Sequence, residues 1–197
     1  MKKNNLRFIV VSAIMGGLGA VLMFVEISIP IIPSFIKFDF SEIPVLLTSF
    51  ACGPWYGVLV CLIKNLLHLF SGSSGGIGEL SNFLLGTVLA IVSGFVYRIK
   101  KTRSGALIAA VSASLAMAIV SIFTNLFIVY PLYGSVMGLT EDIILAAYTA
   151  ILPTANTMSK AILIFNFPFT FIKGIIDSLC CFAVYKRIST IIKGKSK

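Results

Sequence analysis

Residues Asn166–Arg187 read NFPFTFIKGIIDSLCCFAVYKR, an apolar run interrupted by Lys173 and Asp177 and closed by Lys186 and Arg187. A helical run of this length crosses a hydrocarbon core of about 30 Å. A lysine near the centre of such a span costs about 2.5–3.5 kcal/mol on insertion scales, so something must offset it. Lys173 and Asp177 stand at i and i+4, on one helix face, where they can neutralise each other. The alternative is that the lysine serves a ligand.

The rest of the chain places this run in a bilayer. Of its 197 residues, 58% are hydrophobic and 12% charged, about half the charge of a soluble domain. Several other segments are as apolar and as long, so the chain reads as an integral membrane protein. The net charge of +9 gathers in three groups. These are Lys2, Lys3 and Arg7; Arg98, Lys100, Lys101 and Arg103; and Lys186, Arg187, Lys193, Lys195 and Lys197. Each abuts an apolar run, the placement of cytoplasmic anchors and not of a nucleic-acid surface. Cys52, Cys61, Cys180 and Cys181 lie inside apolar segments without zinc-ligand spacing. The N-terminal apolar run is too long for the core of a signal peptide and reads as a retained helix.

The fold class expected is an all-α membrane protein of six transmembrane helices, at about 6–29, 43–52, 54–70, 79–97, 106–130 and 161–185. The second is short and ends where Gly53 and Pro54 break it. The fifth is expected to stop at Pro131. A long connection follows, holding Glu141, Asp142 and an apolar stretch suited to an interfacial helix. No internal repeat or soluble domain is evident, so residues 1–197 read as one transmembrane domain with a lid-like outer loop at 30–42. Six spans bring both termini and all three basic groups to the cytoplasm, whereas fusing the second and third would put Arg98–Arg103 outside.

This topology sorts the polar residues. Lys64, Asn65, His68, Glu79, Asn82, Asn125, Thr170, Lys173 and Asp177 all fall in outer or middle parts of their spans, and Asp39, Ser41 and Glu42 in the outer loop. Within hydrocarbon such groups pair or line a cavity. Their common depth suggests one outward-opening pocket, with Phe38, Phe40, Phe165, Phe167 and Phe169 as flat apolar walls. Each residue also has an ordinary reading: asparagines as interhelical glue, His68 as an interfacial residue, SGSSGGIG as a linker. In the first helix, Ala13 with Gly17 and Gly16 with Ala20 set small residues four apart, the spacing that lets helices approach closely. No G-x-x-x-x-G-K-[ST] motif occurs, so a solute pocket here implies a separate motor.

The segments KFDFSEIPVLL, GPWYGVLVCLIKNLLHLF, GELSNFLLG, NLFIVYPLYG and PFTFIKGII, in this order and spacing, resemble the riboflavin-specific S components of energy-coupling-factor vitamin transporters. The resemblance runs from the first helix to Lys186. It implies a non-enzymatic plasma-membrane subunit that captures riboflavin, with flavin mononucleotide (FMN) a further candidate ligand, and uses no cofactor of its own. Its partners would be a transmembrane coupling (T) subunit and two ABC ATPase subunits, on which it topples to release the vitamin. On this resemblance Asn125 and Lys173 contact the flavin, and Thr170 stands where the family has an asparagine, with Asn166 a possible substitute. Asp39, with Phe38 and Phe40, belongs to the lid over the ribityl chain. Asn65, Glu79 and Asn82 complete the ligand-binding set. Ala13 and Gly17 occupy the small-residue motif that meets the coupling subunit. Lys173 is then retained for the flavin, with Asp177 holding it in the empty site.

Three other readings compete. An S component for thiamine or pantothenate fits the same topology, but a cation would favour Glu79 and Asp177 over Lys173. An enzyme acting on lipids needs paired acidic metal ligands or a nucleophile beside a base on the inner side, and neither is present. A membrane scaffold leaves the clustering of polar groups unexplained.

Overall fold

The computed structural model describes the backbone of residues 3–72 and 74–193 and the side chains of residues 5–72 and 74–185. The terminal basic groups expected to act as anchors (Lys2 and Lys3; Lys186, Arg187, Lys193, Lys195 and Lys197) have side chains outside the described residues.

The first helix, α1, spans Lys3–Met23. It stops short of the expected Ile29 because the chain turns into a two-stranded antiparallel ribbon, β1 (Ile27–Ser28) with β2 (Lys37–Phe38). Pro30 and Pro33 lie in the connection, where they cannot extend a helix. Helices α2 (Glu42–Ala51), α3 (Pro54–Leu69) and α4 (Ile77–Ile99) follow. Helix α5 (Arg103–Thr124) runs through a π-helical turn, Asn125–Val129, into α6 (Tyr130–Met137). After α7 (Glu141–Thr149) and α8 (Met158–Ala161), a second π-helical turn, Ile162–Asn166, leads into α9 (Phe167–Lys193).

The fifth span therefore passes Pro131 instead of ending there. Proline supplies no N–H and crowds the preceding turn of a straight helix. The wide turn just before it, in which the Tyr130 amide reaches back to the Asn125 carbonyl, takes up the mismatch. The same device recurs before Pro168, where the Phe167 amide reaches the Ile162 carbonyl.

Among the described residues, four helical stretches are long and apolar enough to cross a membrane: Asn5–Met23, Ile77–Ile99, Arg103–Met137 and Met158–Tyr185. The apolar helices α2 and α3 are shorter. At 1.5 Å per residue α2 reaches only about 15 Å, half a bilayer core. It survives because it is central, packed against α1, α3, α4 and α9. Val45, Leu46, Leu47 and Phe50 are all buried there. Gly53, at φ +120°, makes the break into α3, and the Arg98 guanidinium fills the space where a side chain would stand. Helix α1 lies on α3, with Gly16 against Ile63, while a Cβ added at Gly17 would meet nothing within 4 Å.

Candidate functional site

A cavity of about 790 Å³, counted to its open mouth, lies between the ribbon, the start of α4, the α5–α6 junction and the first half of α9. Its apolar wall includes Phe35, Leu85, Met117, Val129 and Phe169, and its polar groups include Asp39, Glu42, Asn82, Asn125, Asn166, Thr170 and Lys173. Both π-helical turns deliver an asparagine to it, Asn125 at the start of one and Asn166 at the end of the other. An adjoining space of about 1220 Å³ shares Asp39, Asn82 and Tyr133 with the first and adds Glu26, His68, Ser74 and Glu79.

Two buried lysines organise the charges. Lys173 donates to the Asp39 carbonyl at 2.8 Å and pairs with Asp39 Oδ2 at 2.9 Å, and its ammonium is 5.4 Å from the centre of the Phe38 ring. Its distance to Asp177 Oδ2 is 3.9 Å, and neither Asp177 oxygen accepts a hydrogen bond. Asp177 thus pairs with Lys173 as expected from their spacing, but Asp39 is the closer partner. The loop aspartate, far off in sequence, offers two acceptors, while the helical neighbour reaches the ammonium only at the limit of an ion pair. Burial alone would raise the Asp39 carboxyl; Lys173 and Lys64 outweigh it and bring it from 3.8 down to about 2.

Lys64 is fully buried and donates to Ser41 Oγ at 2.6 Å, Glu42 Oε1 at 2.7 Å and Asn82 Oδ1 at 2.8 Å. Three acceptors match the three protons of an ammonium, which makes a buried lysine tolerable. The network ties α3 to the start of α2 and to α4. It also sets the ribbon's last turn, where the Ser41 amide donates to Asp39 Oδ1 at 2.8 Å. Gly86 leaves the room for it, since a Cβ there would come within 3.0 Å of the Glu42 carboxylate and 2.6 Å of Cys61 Sγ.

The residues singled out in the sequence divide among these features. Asp39, Asn82, Asn125, Thr170 and Lys173 line the first cavity together. Glu79 belongs to the adjoining space, accepting from Ser74 Oγ at 2.6 Å and lying 2.8 Å from His68 Nδ1. Asn65 stands apart from both, its amide donating to the Cys61 carbonyl at 2.8 Å on its own helix. Phe38 and Phe40 pack edge-to-face with centroids 5.0 Å apart, and Phe38 also meets Phe169 at 6.4 Å. They back the wall without lining it. Ala13 is exposed and Gly17 half-buried on the outward face of α1.

Sequence reasoning placed Glu42 among the outer-loop polar groups of the pocket, where it does line the cavity, but left out Tyr130 and Tyr133 and did not foresee Tyr148. Asn166 Nδ2 donates to the Tyr130 hydroxyl at 2.7 Å, the Tyr148 hydroxyl donates to Asn166 Oδ1 at 2.6 Å, and the two tyrosines are bonded to each other. Only the fold brings Tyr148 of α7 to Tyr130 and to Asn166 in the turn before α9, so no spacing in the chain signals this ring. The GELSN and NLFIVYP segments did carry Asn82, Asn125 and Tyr130.

The chain is 30% identical to the riboflavin transporter RibU of Staphylococcus aureus (strain TCH60), covering 97% of this chain and 94% of the relative. It is 26% identical to the riboflavin transporter FmnP of Bacillus subtilis (strain 168), over 86% of this chain and 92% of that one. The solved structure of the S component of a bacterial ECF transporter superposes with a TM-score of 0.75 at 28% identity, covering 98% of this chain and 100% of the other. The model of the ECF transporter substrate-specific component matches residues 7–185, and the chain belongs to that family.

Proposed function

We propose that this chain is the riboflavin-capturing subunit of a vitamin B2 importer in the plasma membrane, energised by a coupling subunit and two ATPases. The observation that carries this is the cavity itself. Donors from Asn125, Thr170 and Lys173 stand beside an apolar wall, in a chain similar over nearly its whole length to riboflavin transporters. A flavin has a flat tricyclic face, a carbonyl edge and a polyol tail. Phe169, Leu85, Met117 and Val129 suit the face, the three donors suit the edge, and Asp39 and Asn82 suit the tail. Glu79 extends the polar surface into the adjoining space. A cationic vitamin fits less well, because Glu42 and Asp39 are already matched by Lys64 and Lys173.

In this reading all six apolar helices traverse the bilayer, α2 and α3 as a short pair, with both termini cytoplasmic. The cavity opens outward and residues 30–42 form the lid. Lys173 gives up part of its pairing with Asp39 when a carbonyl-rich ligand enters, which offsets the cost of its burial. The outward face of α1 at Ala13 and Gly17 is left for the coupling subunit.

The test is the absorption spectrum of the detergent-purified protein from cells grown with riboflavin. Flavin bands at about one equivalent support the reading, and a colourless protein that also fails to quench riboflavin fluorescence rejects it. Lys173→Ala and Asn125→Ala should each weaken binding at least about tenfold with the fold retained, the value of one desolvated hydrogen bond.

A further inference from the structure

Tyr148, on α7, is fully buried yet touches neither cavity. Its ring packs against Phe35 at 5.6 Å and Phe165 at 5.3 Å, and its hydroxyl donates to Asn166 Oδ1 at 2.6 Å. Tyr130, which lines the cavity with Asn166, closes a three-member ring by accepting from Asn166 Nδ2 at 2.7 Å and bonding the Tyr148 hydroxyl.

A carboxamide can turn either its carbonyl or its NH₂ toward a ligand, and its neighbours decide which. Here Tyr148 takes the carbonyl of Asn166, so the oxygen is committed to α7. Tyr130 takes one of the two amide hydrogens. Among the described residues the second has no acceptor, on a side chain that lines the cavity. Asn166 and Thr170 stand at i and i+4 with Lys173 on the next turn, so the second π-helical turn and α9 together present a column of donors to the same space.

We infer that Asn166 is a hydrogen-bond donor to the solute, and that Tyr148 is the positioning residue that holds its amide in the donating orientation. The arrangement selects ligands whose edge carries acceptors, such as the ring carbonyls of a flavin, over those that present donors. This rests on the proposed function, since it takes the cavity as the solute site.

Tyr148→Phe keeps the ring and its aromatic contacts and removes only the hydroxyl. Asn166→Asp keeps the acceptor for the Tyr148 hydroxyl and removes both amide donors, the free one and the one given to Tyr130. Riboflavin affinity is measured by fluorescence quenching on the full-length protein, with the melting temperature of the ligand-free form and the near-ultraviolet band of bound flavin, which responds to hydrogen bonding at the ring carbonyls. Both variants should raise the dissociation constant about tenfold or more. The flavin band of Tyr148→Phe should shift while its ligand-free melting temperature stays put. Unchanged affinity and band position in Tyr148→Phe overturn the inference, as does a loss of affinity that merely follows a fall in ligand-free melting temperature. Should Asn166→Asp not fold, Tyr148→Phe decides alone. A wild type that binds no flavin instead removes the proposed function, and this inference with it.

Discussion

At the scale of single residues, the site is governed by where buried charge finds its complement. Lys64 and Glu42 are a desolvated pair, and removing one member strands the other. Lys64→Met should therefore cost about 3 kcal/mol or more. The double variant with Glu42→Gln should be less destabilised than the two single changes summed, a coupling read by thermal denaturation in detergent. Asp39 gives a pH prediction. Its carboxyl is at about 2 in the folded chain against 3.8 ordinarily, so its contribution is present above about pH 4 and lost as the pH falls toward about 2. Melting temperature against pH should show an acid limb in that window. Asp39→Asn should remove that limb and lower stability at neutral pH. The partner of Lys173 illustrates what a sequence hides: Asp177 is the neighbour along the helix, but Asp39 makes the closer pair through the fold.

At the scale of elements, two wide turns and two glycines do most of the shaping. The π-helical turns let α5 and α9 pass Pro131 and Pro168 and aim Asn125 and Asn166 at the same space. Both sites lie within apolar runs that periodicity alone reads as plain helix, and for that reason the fifth span seemed to end at the proline. Gly53 and Gly86 are legible as glycines, but their purpose is not. Gly53→Ala should destabilise by about 1–3 kcal/mol, because φ +120° strains any residue with a Cβ and Arg98 occupies the space. Gly86→Ala should push Glu42 and Cys61 aside, costing about 1–3 kcal/mol by overpacking. Thermal denaturation checks both, and equal stability to the parent chain would remove these roles.

At the scale of the whole molecule, α1 presents two small-residue pairs with different fates. Gly16 and Ala20 are buried, and a Cβ on Gly16 would stand 2.5 Å from Ile63, so this pair serves internal packing. Ala13 and Gly17 face outward. Gly17→Leu should leave riboflavin binding intact and depress uptake by cells, whereas Gly16→Leu should lower the melting temperature and binding together. Binding assays on purified protein beside uptake assays separate the two, and uptake unchanged by Gly17→Leu would remove the docking role of that face.

Hydropathy and charge by themselves determined that this chain lives in a membrane as a helical bundle. They also set the expectation that the polar groups of α3, α4, α5 and α9 share a depth, because the cost of an unsatisfied group in hydrocarbon is large enough to be written into composition and spacing. Only the tertiary structure decided which groups share a cavity. It set Asn82, Asn125, Thr170 and Lys173 around one space, left Asn65 on its own helix, gave Lys173 to Asp39, and carried Tyr148 in from α7 to orient Asn166. Those choices rest on contacts between residues far apart in the chain, and hydrogen-bond geometry at that range follows from how helices pack, which no local pattern encodes.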